Sequence, residues 1–309
     1  MSGSRKPGRQ LKRLPTERSN RTAADLDRRS ALEIARIINA EDAKVAAAVK
    51  RALPHIARAI DMIAAALRKG GRLIYVGAGT SGRIAAQDAV ECPPTFNTDP
   101  HTVQFVMAGG TRALSVAVEA NEDSRRLGEL EIAKKKPGKD DVVVGVAASG
   151  RTPFAVAALE YARRHRAKTI AVTCNPNSPL EKAAQFAIVT EVGPEVVSGS
   201  SRMKAGTAQK MVLNMLSTGA MARLGYVYGN LMVNVHLKNE KLIERGVSIV
   251  QQAAGVNRQT AKQALKSARN RVPVALVMLE TGVRRKEAEQ ALKAALGSVR
   301  QAIAAARSL

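Results

Sequence analysis

This sequence predicts an α/β fold: a parallel sheet of about five strands flanked by helices, followed by a small all-helical C-terminal module. Three observations carry it. Five short apolar runs lie between residues 73 and 190, helical patterns separate most of them, and after residue 200 the pattern is helical alone. Alternating strands and helices imply a parallel sheet buried on both faces, because each crossover lays a helix on one face.

The elements follow in order. Residues 1–15 carry Gly3, Pro7, Gly8 and Pro15 among basic side chains, with no folding pattern, and are expected to be a solvated, disordered tail. Val45, Val49, Leu53, Ile56, Ile60, Ile63 and Leu67 recur at spacings of three and four, one face of a helix that begins near Ala31. Lys69-Gly70-Gly71 stops it. The expected strands are 73–76, 103–107, 142–147, 169–174 and 186–190, with a helix over 153–164. A long helix should run to about Leu224. Residues 255–276 then align with 282–303 at an offset of 27, with eleven of 22 positions identical. Two units are too few for a solenoid, so two similar helical hairpins are expected. The expected division is a tail over 1–15, an α/β domain over 16–250 and the repeat module over 251–309.

Composition narrows the function. Hydrophobic residues make up 45% of the 309, enough for a sizeable core. Aromatics are 3% and Trp is absent, which weighs against binding single strands of nucleic acid by base stacking. Two cysteines exclude a disulfide scaffold or a four-cysteine zinc site. No apolar run spans a bilayer, and no apolar stretch follows the N-terminal charges, so a cytoplasmic protein without a membrane partner is expected. The net charge is +23, of which residues 1–30 hold +6 and residues 251–309 hold +8. A positive field of this size favours an anionic substrate.

Three loops point to where that anion sits. Gly77-Ala78-Gly79-Thr80-Ser81-Gly82 joins a strand to a helix and has the form G-x-G-x-x-G. The acid that a dinucleotide site needs at the end of the next strand is absent, since that strand runs into Ala108-Gly109-Gly110. What remains is an anion cradle: close backbone approach, the Thr80 and Ser81 hydroxyls, and a helix N-terminus. The stretch from Ser149 to Thr152 follows the third strand, and the stretch from Ser198 through Ser200, Ser201 and Lys204 precedes the long helix. Together they imply a phosphate or phosphosugar site at the carboxyl edge of the sheet. No Walker loop occurs.

Two carboxylates stand out. Glu91 is expected to end the helix after the glycine loop, where Cys92-Pro93-Pro94 turns the chain and the helix dipole opposes an acid. Glu122 lies soon after the Gly109-Gly110 turn. A solvated face accounts equally for either residue. His55, His101, His165 and His236 show no metal-ligand spacing, and Cys92 and Cys174 read as small buried hydrophobes. Neither metal nor cofactor is expected.

These residues also carry a resemblance. LIYVGAGTSGR at 73–83, ECPPT at 91–95, VAASGRT at 146–152, GSSRMKAGT at 199–207, NMLST at 214–218 and NEKL at 239–242 resemble the N-acetylmuramic acid 6-phosphate etherases of the sugar isomerase (SIS) fold superfamily. The resemblance runs from about Thr16 to the C-terminus. It implies a lyase that cleaves the D-lactyl ether of N-acetylmuramate 6-phosphate to N-acetylglucosamine 6-phosphate and D-lactate, in cell-wall amino-sugar recycling. It further implies a homodimer, an acid at Glu91, a second essential carboxylate at Glu122, and phosphosugar contacts at Ser81, Ser149, Ser200 and Ser201. A base that takes the proton on carbon 2 and an acid that protonates the leaving oxygen on carbon 3 suffice. Glu119, one helical turn before Glu122, is the alternative base.

Two departures from the family pattern stand out. The usual Thr-Glu-Gly-x-Asn opening is Thr16-Glu17-Arg18-Ser19-Asn20, and Glu-Gly-Ala-Glu-Asp is Glu119-Ala120-Asn121-Glu122-Asp123. Two other functions fit the serine loops: a catalytically silent phosphosugar sensor, and an aldose–ketose phosphosugar isomerase. Retention of both glutamates favours the etherase.

Overall fold

The computed structural model describes residues 14–118, 121–235, 237 and 239–307. Most of the basic tail, Glu119 and His236 lie outside the described residues. The chain forms two compact units. One comprises residues up to Ala89 with His101–Leu216, and the other comprises Val90–Pro100 with residues from Ser217 onward. The compact division therefore falls at Leu216, ahead of the change in sequence pattern near Gln251.

In the first unit, the periodicity that predicts one helix from Ala31 to Leu67 yields two. Helix α1 (Ala31–Arg51) opens on a capping box between Ser30 and Glu33. Pro54 has no N–H to continue the ladder, so α1 ends at Arg51 and α2 (Leu53–Arg68) restarts with the proline in its first turn.

Strands β1 (Leu73–Gly77), β2 (Val103–Met107), β3 (Val142–Val146), β4 (Lys168–Thr173) and β5 (Phe186–Val189) match the expected runs to within a residue at each end. They form one parallel sheet in the order β2-β1-β3-β4-β5. Helices α3 (Gly79–Phe96), α4 (Arg125–Ala133), α5 (Pro153–Arg164) and α6 (Pro179–Ala183) follow β1 to β4 in turn, and α7 (Lys204–Arg223) follows β5. Ile74, Val76, Val143 and Ala171 pack on Phe154, Ala155, Ala158 and Leu159 of α5. The strand order reverses at β1, whose neighbours are β2 on one side and β3 on the other. Loops leaving β1 and β3 diverge there and open a crevice at the carboxyl edge of the sheet. Gly77 pairs with Met107 and with Val146, so the three strand ends are level.

Glu91 does not end its helix. Helix α3 runs on through Pro93 and Pro94 to Phe96. Proline's fixed φ suits a helix, and in the last turn the missing N–H groups cost few bonds. Asn97, in the left-handed region at φ 54°, donates to the Pro93 carbonyl at 2.8 Å and closes the helix.

The second unit is not wholly helical, contrary to the sequence pattern. Residues between α7 and α8 (Glu240–Ala254) hold an isolated bridge between Tyr228 and Leu231. Gly225 and Gly229 there take positive φ, which ends α7 and bars helix. Beyond α8 the two expected hairpins are present: α9 (Arg258–Ser267) with α10 (Val272–Thr281), and α11 (Arg285–Ala294) with α12 (Val299–Arg307). Their turns superpose in kind. Asn270 donates to Leu265 O at 2.8 Å and Gly297 to Leu292 O at 2.8 Å, each after a residue in the left-handed region. Val247, Leu265, Val272, Leu276, Leu292 and Ile303 belong to one core that both hairpins share. Among the described residues, no helix is long and apolar enough to cross a membrane.

Candidate active site

The end of β1 and the start of α3 touch backbone to backbone. A Cβ on Gly77 would lie 2.8 Å from Gly82 N, and one on Gly82 would lie 2.8 Å from Met107 Cγ. Gly77 and Gly82 therefore serve close packing of strand on helix, while Gly79 serves the turn by taking a positive φ of 53°. Gly79 and Thr80 line a cavity of about 220 Å³ together with Arg83, Met107, Ala108, Ala113, Ala117, Val118 and Glu122. The cavity brings two expected site residues, Thr80 and Glu122, to one space. Glu122 is half-buried, and its carbonyl accepts from Phe154 N at 3.0 Å, which ties it to the first turn of α5. Arg83 donates from Nε to Ala113 O at 3.0 Å and from Nη2 to Val116 O at 3.2 Å, so its guanidinium holds the loop that forms the far wall.

The start of α7 is built differently. The buried carboxylate of Glu195 accepts from Lys204 N at 3.0 Å and Ala205 N at 2.9 Å, filling the positive end of the helix. Burial pushes Glu195 up from the ordinary carboxylate range, and the two amides oppose it. Lys204, expected as a substrate contact, is engaged within the fold. Its side chain is 1% exposed, and Nζ donates to Glu41 Oε2 at 2.5 Å. Desolvation keeps such a charge only beside a partner. Glu41 also takes Lys44 at 2.5 Å and the Thr22 hydroxyl at 3.2 Å. Burial acts to raise the Glu41 carboxyl, but the two ammonium groups outweigh it and hold it at about 2.

Ser200 and Ser201 are half-buried just before this helix. A Cβ on Gly206 would lie 3.5 Å from Thr80 Cγ2 and 3.6 Å from Ser201 O, so the first and third loops meet across that glycine. Ser81 is buried and donates to Gln209 Oε1 at 2.9 Å. Ser149 and Thr152, both half-buried, follow β3 on the neighbouring strand end. Ser149 Oγ accepts from Arg151 N at 3.2 Å. Beside it, Ala148 O accepts from Asn175 Nδ2 at 3.0 Å, and the same amide reaches Thr16 Oγ1 at 3.0 Å. The Thr-Glu-x-x-Asn opening is thus tied to the sheet's carboxyl edge.

Glu91 is exposed and belongs to the Val90–Pro100 segment of the second unit. Sequence reading passed over Arg83, Glu41, Asn175 and Gln209. Arg83 was within reach, one turn beyond Gly79 in the loop motif. The other three gain meaning only from partners far away in the chain. Cys92 and Cys174 are both buried, and burial pushes the Cys174 thiol up to about 12.

A model described as the glucokinase regulatory protein N-terminal SIS domain matches residues 55–163, and one described as the SIS domain matches residues 134–219. The N-acetylmuramic acid 6-phosphate etherase of Symbiobacterium thermophilum is 56% identical over 271 residues, covering 87% of this chain and 90% of that protein. The protein of the same name from Clostridium beijerinckii is 51% identical over 269 residues, covering 87% and 88%. That of Vibrio vulnificus is 52% identical over 269 residues, covering 87% and 90%.

Proposed function

The chain belongs to the N-acetylmuramic acid 6-phosphate etherases, and from that membership we propose that it cleaves the D-lactyl ether of N-acetylmuramate 6-phosphate. The products are N-acetylglucosamine 6-phosphate and D-lactate. The observation that carries the site assignment is the cavity shared by Thr80 at the start of α3 and Glu122 after β2.

In the ring-opened sugar the aldehyde at carbon 1 acidifies the hydrogen on carbon 2. Glu122 takes that proton, the electron pair forms the C2–C3 double bond, and the C3–O bond breaks. Glu91 gives a proton to the departing lactyl oxygen. Water then adds across the double bond, hydroxyl to carbon 3 and hydrogen to carbon 2. Each carboxylate supplies roughly 10²–10⁴-fold of the rate as a general base or acid. Thr80, Ser81, Ser149, Thr152, Ser200 and Ser201 bind the phosphosugar through hydroxyl and amide donors. Lys204 is left out of this set because Glu41 holds its ammonium. The enzyme acts in the cytoplasm as a homodimer.

The test uses N-acetylmuramate 6-phosphate in deuterium oxide, with D-lactate release and exchange at carbon 2 followed together. Glu91→Gln is expected to exchange but release almost no lactate, and Glu122→Gln to do neither. Normal exchange in Glu122→Gln with loss in Glu119→Gln would move the base to Glu119. Normal lactate release in Glu91→Gln would remove it as the acid. An unmodified protein that releases no D-lactate would reject the function itself.

A further inference from the structure

We propose that Gln209 is a positioning residue for substrate binding, setting the direction in which the Ser81 hydroxyl points its hydrogen. This rests on the reading of Ser81 as a contact to the phosphosugar.

Ser81 Oγ and Gln209 Oε1 are 2.9 Å apart, both residues are buried, and Gln209 is 1% exposed. The other end of the same amide, Nε2, is buried and has no hydrogen-bond partner among the described residues. A buried N–H₂ left unpaired is costly, so its persistence calls for a reason. The surroundings do not let the side chain drift away. Five residues earlier in α7, Lys204 is held through its ammonium by Glu41 and through its amide by Glu195. Gly206 lets α7 lie against Thr80 of the first loop, with an added Cβ only 3.5 Å from Thr80 Cγ2.

An amide side chain has two nearly isosteric faces. Oxygen and nitrogen exchange places by a half-turn about the terminal bond, a broad and roughly two-fold torsion. With Oε1 toward Ser81, the serine hydrogen is committed to Gln209 and only oxygen lone pairs remain to face outward. A phosphate is an acceptor and gains nothing from those lone pairs. After the half-turn, Nε2 donates to Ser81 Oγ, and the serine hydrogen is released to donate to phosphate. The formerly unpaired donor then has a partner, while Oε1 moves to the unpartnered position, a loss that the new bond to the anion offsets. Phosphate binding and the half-turn favour each other, because the hydrogen bond to the anion is charge-assisted. Only glutamine offers a donor and an acceptor at this length. Glutamate accepts only, and methionine does neither.

The experiment compares Ser81→Ala, Gln209→Met, the double variant and Gln209→Glu by kcat and KM for the phosphosugar and by competitive inhibition with inorganic phosphate. Ser81→Ala is expected to raise KM and the phosphate inhibition constant about tenfold. Gln209→Met should raise both by a similar factor with kcat nearly unchanged, and the double variant should be no worse than Ser81→Ala alone. Gln209→Glu should be worse than either single variant, since it captures the serine hydrogen and adds negative charge. Multiplying effects in the double variant, or normal phosphate inhibition in Gln209→Met, would overturn the proposal while leaving Ser81 as a contact. A normal KM in Ser81→Ala would overturn both. Should Gln209→Met fail to fold, judged by its circular dichroism, Gln209→Glu decides alone: normal phosphate inhibition there also overturns the proposal.

Discussion

Two helix starts at the carboxyl edge of one sheet carry similar sequence, yet they are built to opposite ends. Helix α3 opens with Gly79 and Thr80 on the wall of a cavity. Helix α7 opens with its first two amides already bonded to the carboxylate of Glu195 and its first side chain locked to Glu41. Both read as anion cradles from Gly, Ser and Thr content. The helix N-terminus attracts an anion in each case, but at α7 the protein supplies that anion itself. A serine-rich helix start thus marks a place where negative charge is welcome, and only the fold decides whether a ligand or a side chain takes it.

The largest expected effect is at the open start. Glu122→Gln should lower turnover by roughly 10²–10⁴-fold. Its melting temperature should stay close to that of the parent, because the carboxylate lines a cavity. A large drop in Tm would make Glu122 structural and erase the contrast. At the closed start the pattern should invert. Lys204→Met or Glu41→Gln alone should destabilise by about 3–5 kcal/mol, since each leaves a buried charge short of a partner. Chemical denaturation measures this, and the double variant should recover much of the loss.

The same pair sharpens the comparison through pH. Glu41 sits at about 2 when folded, against an ordinary 4.5. A carboxyl depressed by folding contributes stability that is complete above its unfolded value and lost as pH falls through the folded value. Stability should therefore fall between about pH 4.5 and 2, and that fall should be shallower in Glu41→Gln. An unchanged acid limb would show that Glu41 is not held as described.

Next comes the loop that adjoins both starts. Ser200→Ala with Ser201→Ala should weaken phosphosugar affinity about tenfold or more, each donor being worth about 1–3 kcal/mol to a charged partner. Unchanged KM would mean that the Glu195 carboxylate keeps phosphate from this side altogether. The smallest effect is Gly206→Ala. The new methyl would meet Thr80 and Ser201 at 3.5 and 3.6 Å, ordinary contact distances. Helix propensity then favours alanine by about 0.5–1 kcal/mol, so Tm should rise slightly with KM little changed. A marked loss of affinity would show that the two helix starts need closer approach than ordinary contact.

The strands were legible because a buried parallel strand is a continuous apolar run, as in Val142–Val146, and such a run is a local property. The hairpin repeat was legible for the same reason, since each half carries its own periodicity and turn. The break at Ala52 was missed because apolar spacing continues across Pro54 unchanged, and only the missing N–H stops the helix. The run of α3 through Pro93 and Pro94 was missed by the opposite error, treating proline as a stop even in a last turn. At the site, the loops around Thr80, Ser149 and Ser200 announced themselves by composition.

By itself, then, the sequence determined the five strands, the hairpin repeat, the carboxyl-edge loops and the resemblance that named the chemistry, all of them carried by residues close together in the chain. The tertiary structure alone decided which polar groups stay available. Lys204 meets Glu41 across 163 residues and Ser81 meets Gln209 across 128, separations over which no local pattern has reach. Whether a buried charge or hydroxyl is spent or left for a ligand depends on what stands within about 3 Å of it, and only folding brings those partners together.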